Sequence, residues 1–441
     1  MQNRNWGNIP FHPKKWPFFY GWMVLVWGTL GIIMSIPGQT IGVSVFTESL
    51  IHVLRISRDE LSLAYMFGTI GSSFLLPWAG RQYDKYGARL VAFVSALGLA
   101  LIICFFSQID KVVFQFLSIH SGFLVLFITF VGFFLLRFFG QGVLTLASRN
   151  MMVQWFDKRR GFATGFSNVF VALTFSVAPV FLYFLMTQFS WRVAWLIVAA
   201  IVGLLFPVFV LLFYRDKPED SGLMPDGNYQ LSERRKKSLF PVIKNFNLQE
   251  VRKNYSFWVY SLMLAMQGLY ITAFTFHVLS IFKEAGLEEK MAISIFQPTA
   301  LVAVVITLIF STLSDYLKLK YLYVAMGIGA CAGALGVMLL GEVSFANLLI
   351  IAGNGVMGGL FSVLSSVTWP RYFGRMYLGA ISGQAVMVIV FASALGPILF
   401  SQSLSHFGSY FGGAAVCLGV YFALSIASFF TTNPQEGLKK V

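Results

Sequence analysis

The chain is 441 residues long, 57% hydrophobic and only 11% charged, with a net charge of +14. Soluble domains carry about 25% charged residues, and a chain this apolar cannot be covered by the polar surface that water demands. A water-soluble enzyme, a disulfide-stapled secreted domain and a disordered chain are therefore excluded. The three cysteines, Cys104, Cys331 and Cys417, lie inside apolar runs at no metal-ligand or disulfide spacing, as small buried hydrophobes do.

A membrane helix needs about 20 mostly apolar residues. In chain order the apolar runs are 18–46, 60–80, 88–107, 122–148, 161–186 and 191–214, then 256–282, 290–312, 321–341, 346–369, 378–402 and 410–430. The first is too long for a signal-peptide core. The expectation is an all-α membrane protein of twelve transmembrane helices. Residues 1–17 form a tail, 18–214 a six-helix bundle, 215–255 a polar linker, 256–430 a second six-helix bundle and 431–441 a second tail. The linker carries the basic run Arg234, Arg235, Lys236, Lys237.

Lysine and arginine set the orientation. With both termini cytoplasmic, 24 of them fall on the cytoplasmic side and 6 on the other, while Arg137 and Arg149 fall inside a span. This bias accounts for the basic excess as a topology signal facing anionic lipid in the cell membrane. Nucleic acid is not expected as a partner.

The two halves repeat. Gly161 and Gly379, Gly165 and Gly383, and Pro179 and Pro397 are each 218 residues apart, and Asp84 and Asp315 are 231 apart. Six spans return the chain to its starting side, so the repeat is parallel, about an axis along the membrane normal. Such repeats are built around a central site served by alternating access.

The stretch Gly80-Arg81-Gln82-Tyr83-Asp84-Lys85-Tyr86-Gly87-Ala88-Arg89 resembles the loop signature of the major facilitator superfamily, and Arg137-Phe138-Phe139-Gly140-Gln141-Gly142 resembles its fourth-span arginine motif. Phe19–Trp22, Trp155–Gly165, Pro218–Gly227 and Tyr372–Gly383 resemble its monocarboxylate and oxalate/formate branch. The resemblance implies a cytoplasmic gate at Gly80, Asp84 and Arg89, with Asp315 as a degenerate second copy. Against the oxalate-type members, spans 8 and 11 carry no Arg or Lys, which argues against a dicarboxylate exchanger.

Arg137 sits about fifteen residues into span 4, where a charge is costly unless it faces protein or water. It can pair with an anionic substrate, brace span 1 or respond to proton coupling. Gln141, Thr145 and Ser148 share its helix face, a polar stripe that could line a cavity. Span 7 carries Gln267, Tyr270, Phe274 and His277 on one face. His277 is a substrate contact, a proton site or a hydrogen-bonded core histidine. Gln39, Asn168, Gln297, Asn354 and Gln384 are further cavity candidates, or polar groups that join helices. None of the 18 Asp and Glu residues lies deep in a span, so a buried cation without a counter-anion favours an anionic substrate.

No nucleophile–base pair, metal spacing or Walker A sequence occurs, so no enzyme, cofactor or metal is expected. The expected function is secondary transport of a small organic anion, a monocarboxylate in particular, by proton symport or anion exchange, by a monomer. A proton-coupled exporter of amphipathic compounds and a non-transporting membrane sensor or scaffold are the alternatives.

Overall fold

The computed structural model describes residues 8–118, 121–227 and 239–440. The basic run Arg234–Lys237 lies outside the described residues. No strand occurs among those described. Among the described residues, ten helices are long and apolar enough to cross a membrane. In chain order the helices are α1 (Gly21–Met34), α2 (Arg58–Phe74), α3 (Leu76–Ser107), α4 (Gly122–Trp155), α5 (Arg160–Gln188), α6 (Trp191–Phe213), α7 (Tyr255–Glu284), α8 (Lys290–Leu313), α9 (Leu319–Met338), α10 (Ala346–Phe373), α11 (Leu378–Phe407) and α12 (Phe411–Phe429).

The two helices outside the ten are α1 and α2, and proline explains both. The run 18–46 is not one helix: α1 ends at Met34, a short turn carries Pro37, and the chain resumes helix at Thr40–Ser44 and Thr47–Leu54. Proline lacks the N–H that the ladder needs and its ring clashes with the preceding turn. The run 60–80 is likewise divided at Leu75, with Pro77 in the first turn of α3. α3 then carries the polar stretch Arg81–Tyr86 and turns at Gly87, whose φ of 83° suits a residue without a Cβ. The polar connection expected between spans 2 and 3 is therefore helical, with one kink.

Within the described residues the chain groups into two compact units. The first comprises Met1–Asp157, Phe170–Arg235 and Leu378–Gln384, and the second Lys158–Val169, Lys236–Tyr377 and Ala385–Val441. In the first, α4 packs on α1, α2 and α3, and α3 on α6. In the second, α10 packs on α7, α8 and α9, and α9 on α12. These pairings correspond helix for helix once six is added, so the repeat in the sequence is a repeat in packing.

Small residues make the closest crossings. A Cβ on Gly353 of α10 would collide with the backbone of Gly333 and Gly329 on α9. The run Gly327-x-Gly329-x-x-x-Gly333 is thus a packing face, the usual device where lipid removes the hydrophobic drive between helices. The outward surface is apolar: Leu173, Val177 and Val180 of α5 are 56%, 60% and 68% exposed. Water would not tolerate a continuous face of this kind, and hydrocarbon does. At one end of the first unit Arg192 grips Asp110 with both amino groups, at 2.7 and 2.6 Å, and holds that carboxyl below its usual range.

Gly353→Ala is expected to lower the melting temperature of the detergent-solubilised protein by several degrees, as overpacking costs about 1–3 kcal/mol. Gly419→Ala, where an added Cβ meets nothing within 4 Å, is expected to be neutral or stabilising. Equal melting temperatures for the two variants would refute the close crossing.

Candidate functional site

Arg137 lies on α4 and is 4% exposed. Its Nη1 donates to the Gly38 carbonyl at 3.2 Å and to Thr40 Oγ1 at 3.4 Å, and its guanidinium lies 5.2 Å from the Tyr65 ring centre. Tyr65 in turn donates to Thr40 Oγ1 at 2.9 Å. The acceptors are neutral. Gly38 offers its carbonyl because Pro37 has interrupted α1, and broken helices expose backbone groups of this kind to a site. The buried Nε makes no hydrogen bond, and none is made by Nη2 among the described residues. The Nε–Nη2 edge, the one that pairs bidentately with a carboxylate, is uncommitted.

Immediately after Arg137, α4 widens into a π-bulge over Phe138–Leu144. Gly140 within it lies against Gly38 with no room for a side chain. Half-buried Gln141 follows in the same bulge. Gln39 donates to Ser35 Oγ at 3.0 Å and Thr145 Oγ1 at 3.4 Å, and Thr145 donates to Ser35 Oγ at 3.0 Å. The structure thus gathers Arg137 and Gln39 at the break in α1, with Ser35, Thr40, Tyr65 and Thr145. Thr145 is on the helix face expected from the sequence, while Ser35, Thr40 and Tyr65 were not anticipated. The signal available was Pro37-Gly38 in the middle of an apolar run.

The gate candidates form two equivalent contacts. Asp84 accepts from the Gly379 amide at 2.7 Å and the Ala380 amide at 2.8 Å, both in the first turn of α11. Asp315, between α8 and α9, accepts from the Gly161 amide at 3.0 Å in the first turn of α5. Carboxylates belong at helix N-termini, where N–H groups lack partners and the dipole is positive. A Cβ on Gly379 would strike the Gly80 carbonyl, and one on Gly161 the Ser311 carbonyl. Gly80 and Ser311 are 231 residues apart, as the two aspartates are, and Gly161 and Gly379 are 218 apart. Arg89 is placed elsewhere: Nε donates to the Tyr214 carbonyl at 2.9 Å, Nη2 to the Ile9 carbonyl at 3.0 Å, and its amide to Asp216 at 3.0 Å.

In the second unit Tyr270 of α7 and Asn354 of α10 come together beside Gly333. An added Cβ there would meet Asn354 Oδ1 and lie 3.4 Å from the Tyr270 hydroxyl. Both groups are buried and face each other there. Gln267, one turn before Tyr270, is buried as well. His277 lies apart, near the end of α7. Its Nε2 is 3.0 Å from the Pro397 carbonyl and its Nδ1 3.2 Å from the Tyr410 hydroxyl. A carbonyl only accepts, so Nε2 carries the hydrogen and Nδ1 accepts from tyrosine in the neutral ring. Asn168 donates to the Ser362 carbonyl at 2.8 Å, Gln297 is exposed, and Gln384 is buried in the first unit.

Parts of three of the stretches that resembled one branch in the sequence, Phe19–Trp22, Trp155–Asp157 and Pro218–Gly227, meet in the first unit. Tyr20 donates to the Phe213 carbonyl at 2.8 Å, its ring lies 5.5 Å from Trp155, and Asp226 accepts from the Asp157 amide at 3.2 Å. These contacts hold a chain corner.

Comparison with known proteins matches this frame. A hexuronate transporter of Bacillus subtilis (strain 168) is 27% identical over 175 residues, a stretch spanning 37% of each chain. Among solved structures, the proton:xylose symporter XylE has a TM-score of 0.65 at 16% identity, covering 95% of this chain and 99% of its own. The transporter FucP has a TM-score of 0.64 at 14% identity, covering 92% and 99%. At these identities the structures speak for the fold. Residues 18–397 match the Major Facilitator Superfamily, and with that match spanning both units and both aspartate contacts, the chain belongs to this superfamily of membrane transporters.

Proposed function

We propose that this multi-pass membrane transporter carries a small organic anion, a monocarboxylate, by alternating access in the cell membrane with both termini cytoplasmic. Proton symport and anion exchange are the two coupling modes that fit. One observation carries the reading: Arg137 is buried, its acceptors are neutral and its bidentate edge is uncommitted. An ionised guanidinium held in this way is stabilised by an arriving carboxylate and would repel a cation. The partial match to a hexuronate transporter supports a carboxylate substrate, since a hexuronate is itself a hydroxylated monocarboxylate. The bonds from Arg137 to Gly38 and Thr40 support a bracing role as well, and the two roles use different edges of one group.

Uptake into proteoliposomes tests this. Labelled lactate, pyruvate, formate and glucuronate are supplied with and without a pH gradient, or with unlabelled anion inside. Accumulation driven by the gradient identifies symport, and counterflow identifies exchange. Failure of every carboxylate to move rejects the reading. Arg137→Lys keeps the charge and one donor for Gly38 but loses the fork, and is expected to raise KM about tenfold or more, the value of one good charged hydrogen bond. Full affinity in that variant removes Arg137 from the substrate.

The aspartate contacts act in this reading as a latch that is seated in one state and released in another. Burial pushes the Asp315 carboxyl up to about 6, against the pull of the Gly161 and Phe162 amides and of Arg160 and Arg371. A solvated aspartate titrates near 4. The seated state therefore takes up a proton between roughly pH 6 and 4: lowering pH favours seating, and raising pH through 6 favours release. Amide exchange at Gly161 and Phe162, corrected for its intrinsic pH dependence, is expected to speed up between pH 4.5 and 7. In Asp315→Asn, which stays neutral like the protonated acid, it is expected to remain near the low-pH wild-type rate and to be flat with pH. An unchanged pH profile in that variant would separate Asp315 from the latch.

A further inference from the structure

The second unit contains a basic pocket lined by none of the Arg137 group or the Tyr270–Asn354 pair, although its Arg371 acts electrostatically on Asp315. It is a cavity of about 70 Å³ where α9 begins and α10 and α12 end, room for several waters or one tetrahedral oxyanion. Its walls carry Arg371, Lys318, Lys320, Thr432 and Asn433, and the exposed Glu436 stands at its rim.

Arg371 is the buried member, 5% exposed. Its Nη1 donates to the Ser314 carbonyl at 2.5 Å and Nη2 to the Leu317 carbonyl at 2.7 Å, while the guanidinium lies over the Phe240 ring, 3.4 Å from its centre. Its Nε is buried without a partner. Asp315 acts on it electrostatically, but that carboxylate is engaged by Gly161. Lys320 holds its ammonium over the Phe429 ring at 5.0 Å and donates to the Phe429 carbonyl at 3.4 Å. Lys318 is the N-cap of the twenty-residue helix α9, and no side chain caps the amides that follow it. Three cations, an uncapped helix N-terminus and a threonine hydroxyl thus converge on a small cavity with one carboxylate at its edge. This is the donor set that suits a phosphate group.

The surroundings bear on the source of that phosphate. Leu317, Tyr321, Phe429 and Phe430 are 38%, 51%, 51% and 68% exposed, an apolar and aromatic border of the kind found at a membrane–water interface. Basic pockets between helix ends on the positively biased face are where anionic headgroups seat. We propose that this pocket binds a phosphate group, supplied by the headgroup of an anionic phospholipid or by free phosphate, with the aromatic border favouring the lipid. The site is independent of the transported substrate, and transport assays do not decide it.

The test uses the full-length protein in detergent. Native mass spectrometry reports retention of phosphatidylglycerol against phosphatidylcholine, and melting temperatures are recorded with inorganic phosphate against chloride at equal ionic strength. Wild type is expected to retain phosphatidylglycerol preferentially. Lys318→Gln/Lys320→Gln, at an exposed and a half-exposed position, is expected to lower that preference about tenfold. Lys14→Gln/Lys15→Gln, which removes the same charge from the first unit, is expected to keep it. Stabilisation by inorganic phosphate that disappears in Lys318→Gln/Lys320→Gln, without lipid preference, also supports the pocket and assigns it to free phosphate. Equal retention of the two lipids together with no phosphate effect overturns the proposal. So does an equal loss in both double variants, which would make the binding diffuse surface attraction.

Discussion

A carboxylate resting on the first amides of a helix, at a point where glycine lets two backbones touch, occurs once in each unit of this protein. Each contact needs both parts. Without glycine at 379 or 161, a Cβ would hold the helix start away from the carbonyl of Gly80 or Ser311. Without Asp84 or Asp315, N–H groups at the helix start would face a poorly hydrated interior unpaired, which costs free energy in proportion to their desolvation. These contacts group the first turn of α11 with the first unit and the first turns of α5 with the second, so each of these two helices is divided between the units.

The protein stabilises its buried cations by a second, separate means. Arg89 is bonded to the carbonyls of Tyr214 and Ile9, Arg215 to those of Leu212, Tyr214 and Phe11, Arg371 to those of Ser314 and Leu317, and Arg137 to that of Gly38. Most of these carbonyls lie at helix ends or breaks, where the last C=O groups lack partners and the dipole is negative. A carbonyl satisfies an N–H without cancelling the charge. A chain with no acid deep in its spans and guanidinium groups served by carbonyls keeps its positive potential available for anions. That common chemistry underlies both the carboxylate reading at Arg137 and the phosphate reading at Arg371.

The α7 face shows how a shared periodicity can hide different environments. Gln267, Tyr270 and His277 follow one stripe at helical spacing. Tyr270 meets Asn354 beside a glycine on α9, whereas His277, two turns on, meets the carbonyl of Pro397 and the hydroxyl of Tyr410. The stripe is set by one helix, while the partners come from α9, α10, α11 and the start of α12.

The amino-acid sequence alone determined the number and order of apolar runs, the repeat through its glycine, proline and aspartate offsets, and the isolation of Arg137 from any acid in its span. These are properties of composition and spacing, which a bilayer reads directly because hydrocarbon admits little but apolar helix. Pro37-Gly38 and Pro77 also marked the breaks in the first two runs, although the run lengths read as continuous spans. Only the tertiary structure decided the partners: that Asp84 faces Gly379 and Ala380, that Arg89 turns to Tyr214 and Ile9, that α4 bulges beside Gly38, and that Lys318 and Lys320 share a pocket with Arg371. Each of these joins residues from 50 to nearly 300 positions apart, and their meeting depends on how helices cross, which no local pattern encodes.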